Sequence, residues 1–177
     1  MSGPRLETER LLLRPPLAED APAHAEMMAD PLTAAFLTLD GKPQDKAMAW
    51  RTFAFLVGHW SLRGFGFFSM IDKETGRWAG RTGPWMPEGW PDLEIGWGVH
   101  PAFRGKAYAL EAAVASARYA FDVMGRQRII SLIRPNNTNS RRVAEKLGEG
   151  ISGQVELFGF PADVWSISRE RFEAKWG

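Results

Sequence analysis

The stretch Arg104-Gly105-Lys106-Ala107-Tyr108-Ala109 constrains this chain more than any other, because it joins an alternating strand pattern over residues 93–99 directly to an alanine-rich helical pattern over residues 106–124. A helix that starts there points its unpaired backbone N–H groups past the end of the strand, and small residues let a ligand come close. The segment therefore reads as an anion cradle flanked by two cations, Arg104 and Lys106. It also fits an ordinary strand-to-helix turn with solvated basic residues. Residues 128–133 follow and are apolar on both faces, which suits a strand covered on both sides; the helix between makes it parallel to its predecessor.

The rest of the chain arranges itself around that strand-helix-strand unit. Residues 6–14 read as a first strand stopped by Pro15-Pro16, and a helical stretch runs from Ala18 to the Asp30-Pro31 break. Residues 45–63 carry Met48, Phe53, Leu56 and Trp60 and are expected to form a second helix. Residues 65–72 and 78–83 are β-like runs joined by Lys73-Glu74-Thr75-Gly76, a polar cluster that predicts an antiparallel hairpin. Residues 84–92 contain Pro84, Pro87 and Pro91 and are expected to be a loop beside the site rather than a central strand. A helix is expected over residues 138–147, with Asn137 or Thr138 as its cap and Gly148 at its C-terminal stop. Residues 155–157 and 163–167 read as a closing hairpin. No repeat or linker interrupts the pattern, so the expectation is one mixed α/β domain over residues 1–177.

At 177 residues the chain is long enough for one sizeable core, and 45% hydrophobic residues suit a folded chain rather than a disordered one. No apolar run approaches the roughly 20 residues needed to span a bilayer. Arg5, Glu7, Glu9 and Arg10 break up any leader-like apolar core, so the expectation is a cytoplasmic protein with no membrane partner. A formal net charge of +1 gives no general electrostatic reason to bind nucleic acid. Without cysteine there is no thiolate zinc site and no cysteine acyl-enzyme, and His24, His59 and His100 lack ligand spacing, so no metal is expected. A phosphate-binding Walker A reading of Gly105-Lys106 fails, because Ala107 occupies the Ser/Thr position and His100 the first glycine.

Alternation over residues 93–99 sends Leu93, Ile95, Trp97 and Val99 to one face and Glu94, Gly96 and Gly98 to the other. The two glycines leave bare backbone, to be filled by a ligand or by a neighbouring element.

The hexapeptide at residues 104–109 resembles the Gln/Arg-x-x-Gly-x-Gly/Ala signature with which the GNAT superfamily of N-acetyltransferases holds the pyrophosphate of acetyl-CoA, with Ala107 where glycine is usual. Asn137-Thr138-Asn139-Ser140 followed by Glu145-Lys146-Leu147-Gly148, together with the opening Leu6-Glu7-Thr8-Glu9-Arg10-Leu11-Leu12-Leu13-Arg14, is similar to the branch containing the ribosomal-protein N-terminal acetyltransferases. The resemblance implies an α/β (α+β) fold, a single-domain GNAT-like mixed sheet, with acetyl-CoA as co-substrate and an amine as acceptor. It implies cofactor contacts from Gly98, Val99, Arg104, Gly105, Lys106, Ala107, Tyr108, Ala109 and Asn137, with the pantetheine arm along the bare surface of Gly96 and Gly98. Tyr108 also fits the core, and Asn137 also fits a helix cap.

Acyl transfer to an amine needs a neutral nucleophile and a stabilised oxyanion. Glu94 is the candidate base, acting directly or through water; from an ordinary pKa of about 4.3 it must be raised by burial, and a solvated strand glutamate is the other reading. Many superfamily members use a tyrosine to protonate the departing thiolate, and Ala144 stands in its place, which leaves Ser140 as the implied substitute. A thiol with a pKa near about 8.5 is also a fair leaving group with no acid at all. Trp85 and Trp90, in the proline-rich segment, are candidate walls of a substrate pocket. The acceptor is read as a polypeptide α-amino group or a small amine. A longer acyl-CoA, and a CoA-sensing or protein-interaction module without turnover, stand as alternatives, since Ala107, Ala144 and Glu149 depart from the pattern. A homodimer is left open.

Overall fold

The computed structural model describes residues 3–177. The expected first strand is two strands, β1 (Leu6–Glu7) turning back antiparallel on β2 (Leu11–Arg14). Thr8 closes the reversal: its N–H bonds the Leu11 carbonyl and its hydroxyl oxygen accepts the Leu11 N–H, both at 2.9 Å. After a 3-10 turn, α1 (Ala21–Ala29) stops at Asp30, which the following proline favours in an extended conformation (φ −74°, ψ 124°). The chain does not leave the helical layer there. Pro31 occupies the first position of α2 (Pro31–Leu37), where a missing N–H costs nothing, and the Asp30 carboxylate caps the Thr33 N–H at 2.8 Å. The same proline that ends one helix thus begins another, which the sequence reading missed.

The second long helix, α3 (Lys46–Arg63), is capped by Asp45 and ends at Gly64, whose φ of 74° suits glycine. β3 (Phe68–Asp72) and β4 (Trp78–Trp85) form the expected antiparallel hairpin. β4, however, runs through Pro84 and Trp85, which the sequence reading assigned to a loop. His100 donates its N–H to Ala79 at 2.8 Å, and by strand alternation this turns the Pro84 nitrogen toward β3, beyond Phe68, the first residue of that strand. No ladder bond is lost, so the proline is tolerated.

β5 (Glu94–Val99) pairs antiparallel with β4 and parallel with β6 (Arg128–Ile133), with α4 (Tyr108–Asp122) as the crossover, as the sequence predicts. α5 (Thr138–Leu147) is capped by Asn137 and closed by Gly148. β7 (Gly150–Leu157) and β8 (Phe160–Ser168) make a longer hairpin than expected, because β7 is an edge strand with largely exposed residues and no apolar alternation to read. α6 (Arg169–Trp176), capped by Ser168 and anchored by buried Phe172, has no counterpart in the sequence reading.

The strands lie in one mixed sheet in the order β1-β2-β3-β4-β5-β6-β8-β7. α4 covers one face, where Ala113, Ala117 and Ala120, spaced along one helical stripe, meet Leu93, Ile95 and Ile129. α1 and α2 cover the other face at β5: a Cβ on Gly98 would meet Leu37 at 2.8 Å and Met27 at 3.7 Å.

Candidate active site

Two features of β5 define the site. On one side its backbone belongs to β4. Since His100 bonds Ala79, alternation gives Gly98, Gly96 and Glu94 that same edge, and Thr82 Oγ1 donates to the Gly96 carbonyl at 3.1 Å. On the other side the ladder to β6 holds at one register only, Glu94 opposite Ile130, with the Ile130 N–H on the Leu93 carbonyl at 3.0 Å. Beyond that point the strands part, and the backbone groups of Trp97 and Val99 face the gap without a strand partner. The Trp97 side chain touches both the α4 cluster and the Ile133, Ala144 and Trp165 cluster under α5, so it stands as a wedge between them.

This corrects the reading of Gly98 and of the bare surface. The Gly98 backbone is committed to β4, whereas Trp97 and Val99 present theirs to the gap. The space above the glycines is already filled, because a Cβ on Gly96 would meet Phe67 at 2.8 Å and one on Gly98 would meet Leu37. Glycine is needed there for close packing of protein.

The gap leads to the turn before α4. Gly105 (φ 79°) and Ala107 (φ 60°) both adopt left-handed backbone, Arg104 to Ala107 are all exposed, and Ala109 lies in the first helical turn. The cradle has one free cation among the described residues rather than two. Arg104 pairs with Asp30 and donates to Thr33 Oγ1 at 2.7 Å, holding the Asp30 carboxyl down at about 2. Lys106 lies over the rings of Phe103 and Tyr108, at 5.3 and 5.7 Å. The Tyr108 side chain is in the core, stacked on Phe103, with its hydroxyl on Asp72 raising it to about 12. Only its backbone remains for a ligand at the helix start.

On the face of the sheet away from α4, a cavity of about 610 Å³ opens beside β5. Glu94 stands at its wall. Burial pushes the Glu94 carboxyl up to about 7, against the opposing effects of the Trp90 indole N–H at 2.7 Å, a backbone bond from Leu132 and the charge of Arg81. Trp85 is buried in the wall, stacked on Phe67 at 4.8 Å and on His59 at 4.2 Å. Trp90 lines the cavity too, but its polar atom serves Glu94. Asn137 does act as a cap, its side-chain oxygen accepting the Ser140 N–H at 3.2 Å, which leaves its amide nitrogen free; both Asn137 and Ser140 line the cavity. Ala144 is fully buried against Ile133 and Trp165.

Three cavity or near-cavity groups escaped the sequence reading. His24 is buried and held neutral, its pKa lowered to about 3 by desolvation and the nearby Arg81 charge. Arg81 lies with its guanidinium 4.7 Å from the Phe67 ring. Its only signal in the sequence is a lone charge inside an otherwise uncharged strand. Glu149, at the α5–β7 junction, is buried with Oε1 3.0 Å from Ser131 Oγ, which is 2.8 Å from the Ile95 carbonyl. The hydroxyl has a single hydrogen to give. If it goes to Ile95, Glu149 bonds Ser131 as a neutral acid, consistent with burial, helped by the charge of Glu94, raising Glu149 to about 8.

A family model for the acetyltransferase (GNAT) domain matches residues 10–149. The chain belongs to the GNAT acetyltransferase family. The solved acetyltransferase from Agrobacterium tumefaciens is 31% identical and superposes with a TM-score of 0.82, covering 96% of each chain. The uncharacterized N-acetyltransferase YnaD of Bacillus subtilis is 46% identical over 55 residues; the chain spans about a third of that relative, 32% of its length and 31% of its own. RimL, a ribosomal L7/L12 α-N-protein acetyltransferase solved with coenzyme A, shares the fold at a TM-score of 0.75 and 14% identity, over 93% of this chain and 98% of that one.

Proposed function

We propose that the chain is an acetyl-CoA-dependent N-acetyltransferase that moves an acetyl group to a primary amine by direct attack within a ternary complex. One observation carries the reading: Glu94, raised to about 7, opens on an apolar cavity and sits on the same strand as Trp97 and Val99, whose unpaired edge faces the gap leading to the α4 turn. A base poised near neutral pH can take a proton from an ammonium that a solvated carboxylate could not hold. In the proposed step the freed amine attacks the thioester carbonyl carbon, the C–N bond forms, and backbone N–H groups at the gap stabilise the oxyanion. The C–S bond then breaks and the CoA thiolate leaves, taking up the second proton lost by the attacking nitrogen, with Ser140 as the candidate group that gives the thiolate its proton while receiving that one. Gly105 and the first turn of α4, with Lys106, would receive the cofactor phosphates. A cytoplasmic location and the absence of nucleic-acid partners belong to the same proposal.

Thiol release from acetyl-CoA with a panel of amines tests the activity. Intersecting initial-velocity patterns are expected. An acetylated enzyme that forms without acceptor and passes its acetyl group on would sink direct transfer.

A further inference from the structure

The proposed acceptor cavity contains a cation that rests on an aromatic ring, with no hydrogen-bond acceptor and no carboxylate paired to it among the described residues. Arg81 makes no hydrogen bond and no ion pair among the described residues; the only protein charge that acts on it is Glu94, and burial lowers it to about 10, so it stays charged at neutral pH. The other arginine in the cavity wall, Arg134, is satisfied by the carbonyls of Ala35 at 2.9 Å and Thr38 at 3.2 Å. Asp20 bonds Ser69, the cross-strand neighbour of Arg81, but is saturated: its oxygens take Arg14 at 2.7 and 2.8 Å, Ser69 at 2.7 Å and the Leu17 N–H at 2.8 Å. The guanidinium is half-buried on an apolar wall, with its donors open to the cavity rather than bonded to protein, and a cation so placed is suited to receive a ligand's anion.

Arg81, cross-strand from Gly98, and Glu94, cross-strand from Trp85, project from neighbouring strands to the same face of the sheet, and both line the cavity. They feel each other's charge without closing an ion pair. Around them the wall is aromatic and aliphatic, with Phe36, Phe55, Leu56, Trp85 and Phe158. An acceptor that is only an amine would meet Arg81 as a like charge. One that also carries a carboxylate would match both groups, the amine toward Glu94 and the carboxylate toward the planar fork of Arg81.

We propose that Arg81 receives the carboxylate of the acceptor, so that the substrate is a free α-amino acid with a large apolar side chain. The inference rests on the amine-acetylating reading of this site and adds its substrate class. Phenylalanine, phenylalaninamide and phenethylamine are the probes, compared by thiol release with the unaltered protein. Phenylalanine should exceed the other two in kcat/KM by about tenfold or more, and Arg81→Gln should bring that ratio close to one, as expected when a charge-assisted pair is lost. Equal or better use of the amide or of phenethylamine by the unaltered protein overturns the proposal. Calorimetry with N-acetylphenylalanine and its amide in the presence of CoA separates the two readings. If no amine releases thiol but the acid still binds more tightly than the amide, and Arg81→Gln erases the difference, the carboxylate site stands and the activity falls. If acid and amide bind alike, the carboxylate site falls whatever the activity.

Discussion

At the turn before α4, residues 104–107 are exposed, and what they offer a ligand is backbone: helix-start N–H groups held open by left-handed conformations at Gly105 and Ala107. In the cavity beyond β5 the order is reversed. The backbone there is tied into the sheet, and the groups facing the cavity are side chains, Glu94 raised by burial, Arg81 with no hydrogen-bond or ion-pair partner among the described residues, and aromatic walls around them. The contrast teaches where the sequence can vary. A backbone site tolerates changed side chains so long as the backbone conformation survives; a side-chain site loses its function with one atom.

Four changes test that contrast. The largest effect should come from the side-chain half. Glu94→Gln removes the proposed base and should lower kcat at neutral pH by about 10² or more, while acetyl-CoA affinity measured by calorimetry stays near that of the parent. The loss should shrink as pH rises and free amine becomes abundant, and the parent's kcat should climb through about pH 7 as Glu94 ionises. Parent-like turnover of the variant from pH 6 to 9 would make Glu94 structural. In the backbone half, Gly105→Glu should weaken acetyl-CoA binding by roughly tenfold or more, since it sets an anion before the helix N-terminus and strains a left-handed position. No atom lies within 4 Å of a Cβ there, so the variant should fold, and unchanged affinity in the folded variant would remove the cradle.

Glu149 offers a third test, on stability. Its folded pKa, about 8, lies above the ordinary 4.5, so between those values the folded state holds a proton that the unfolded state has released. Stability from this group is therefore fully present below the ordinary value and declines as pH rises toward 8. Glu149→Gln keeps a neutral donor for Ser131 and lacks this decline. Urea unfolding should show the variant gaining on the parent from pH 5 to pH 8, by on the order of a few kcal/mol at the upper end. A constant difference across that range would mean that Glu149 is ionised in the folded protein. The smallest effect belongs to Ala107→Gly, which relieves a left-handed alanine worth about 1 kcal/mol and should raise Tm slightly without weakening acetyl-CoA binding.

What the sequence made legible was local. β6 and α5 have the predicted bounds because their signals, an apolar run, an Asn cap and a Gly stop, lie within the segment itself. α2 stayed hidden because Pro31 was read only as a breaker, and the end of β4 because the tolerance of Pro84 depends on where β3 starts. Within the site, alternation put Glu94 on the face that the cavity occupies, and the acyl-transfer chemistry implied by the resemblance made it the candidate base. The fillers of the glycine face, Phe67 and Leu37, arrive from other elements, and no pattern inside residues 93–99 could announce them. Arg104 and Arg81 lay beyond local pattern for the same reason: Asp30, from another element, occupies the expected phosphate partner, while Arg81 in the middle of a strand has no hydrogen-bond or ion-pair partner among the described residues.

The single register between β5 and β6 has a consequence for motion. A strand bonded along one edge only has amides that exchange their hydrogens with water at the other, and Trp97 and Val99 carry such amides. A pantetheine arm laid in the gap would act as a short borrowed strand, so saturation with CoA should slow hydrogen exchange at these two positions far more than at Glu94 or Gly98, whose backbone is already held by β4.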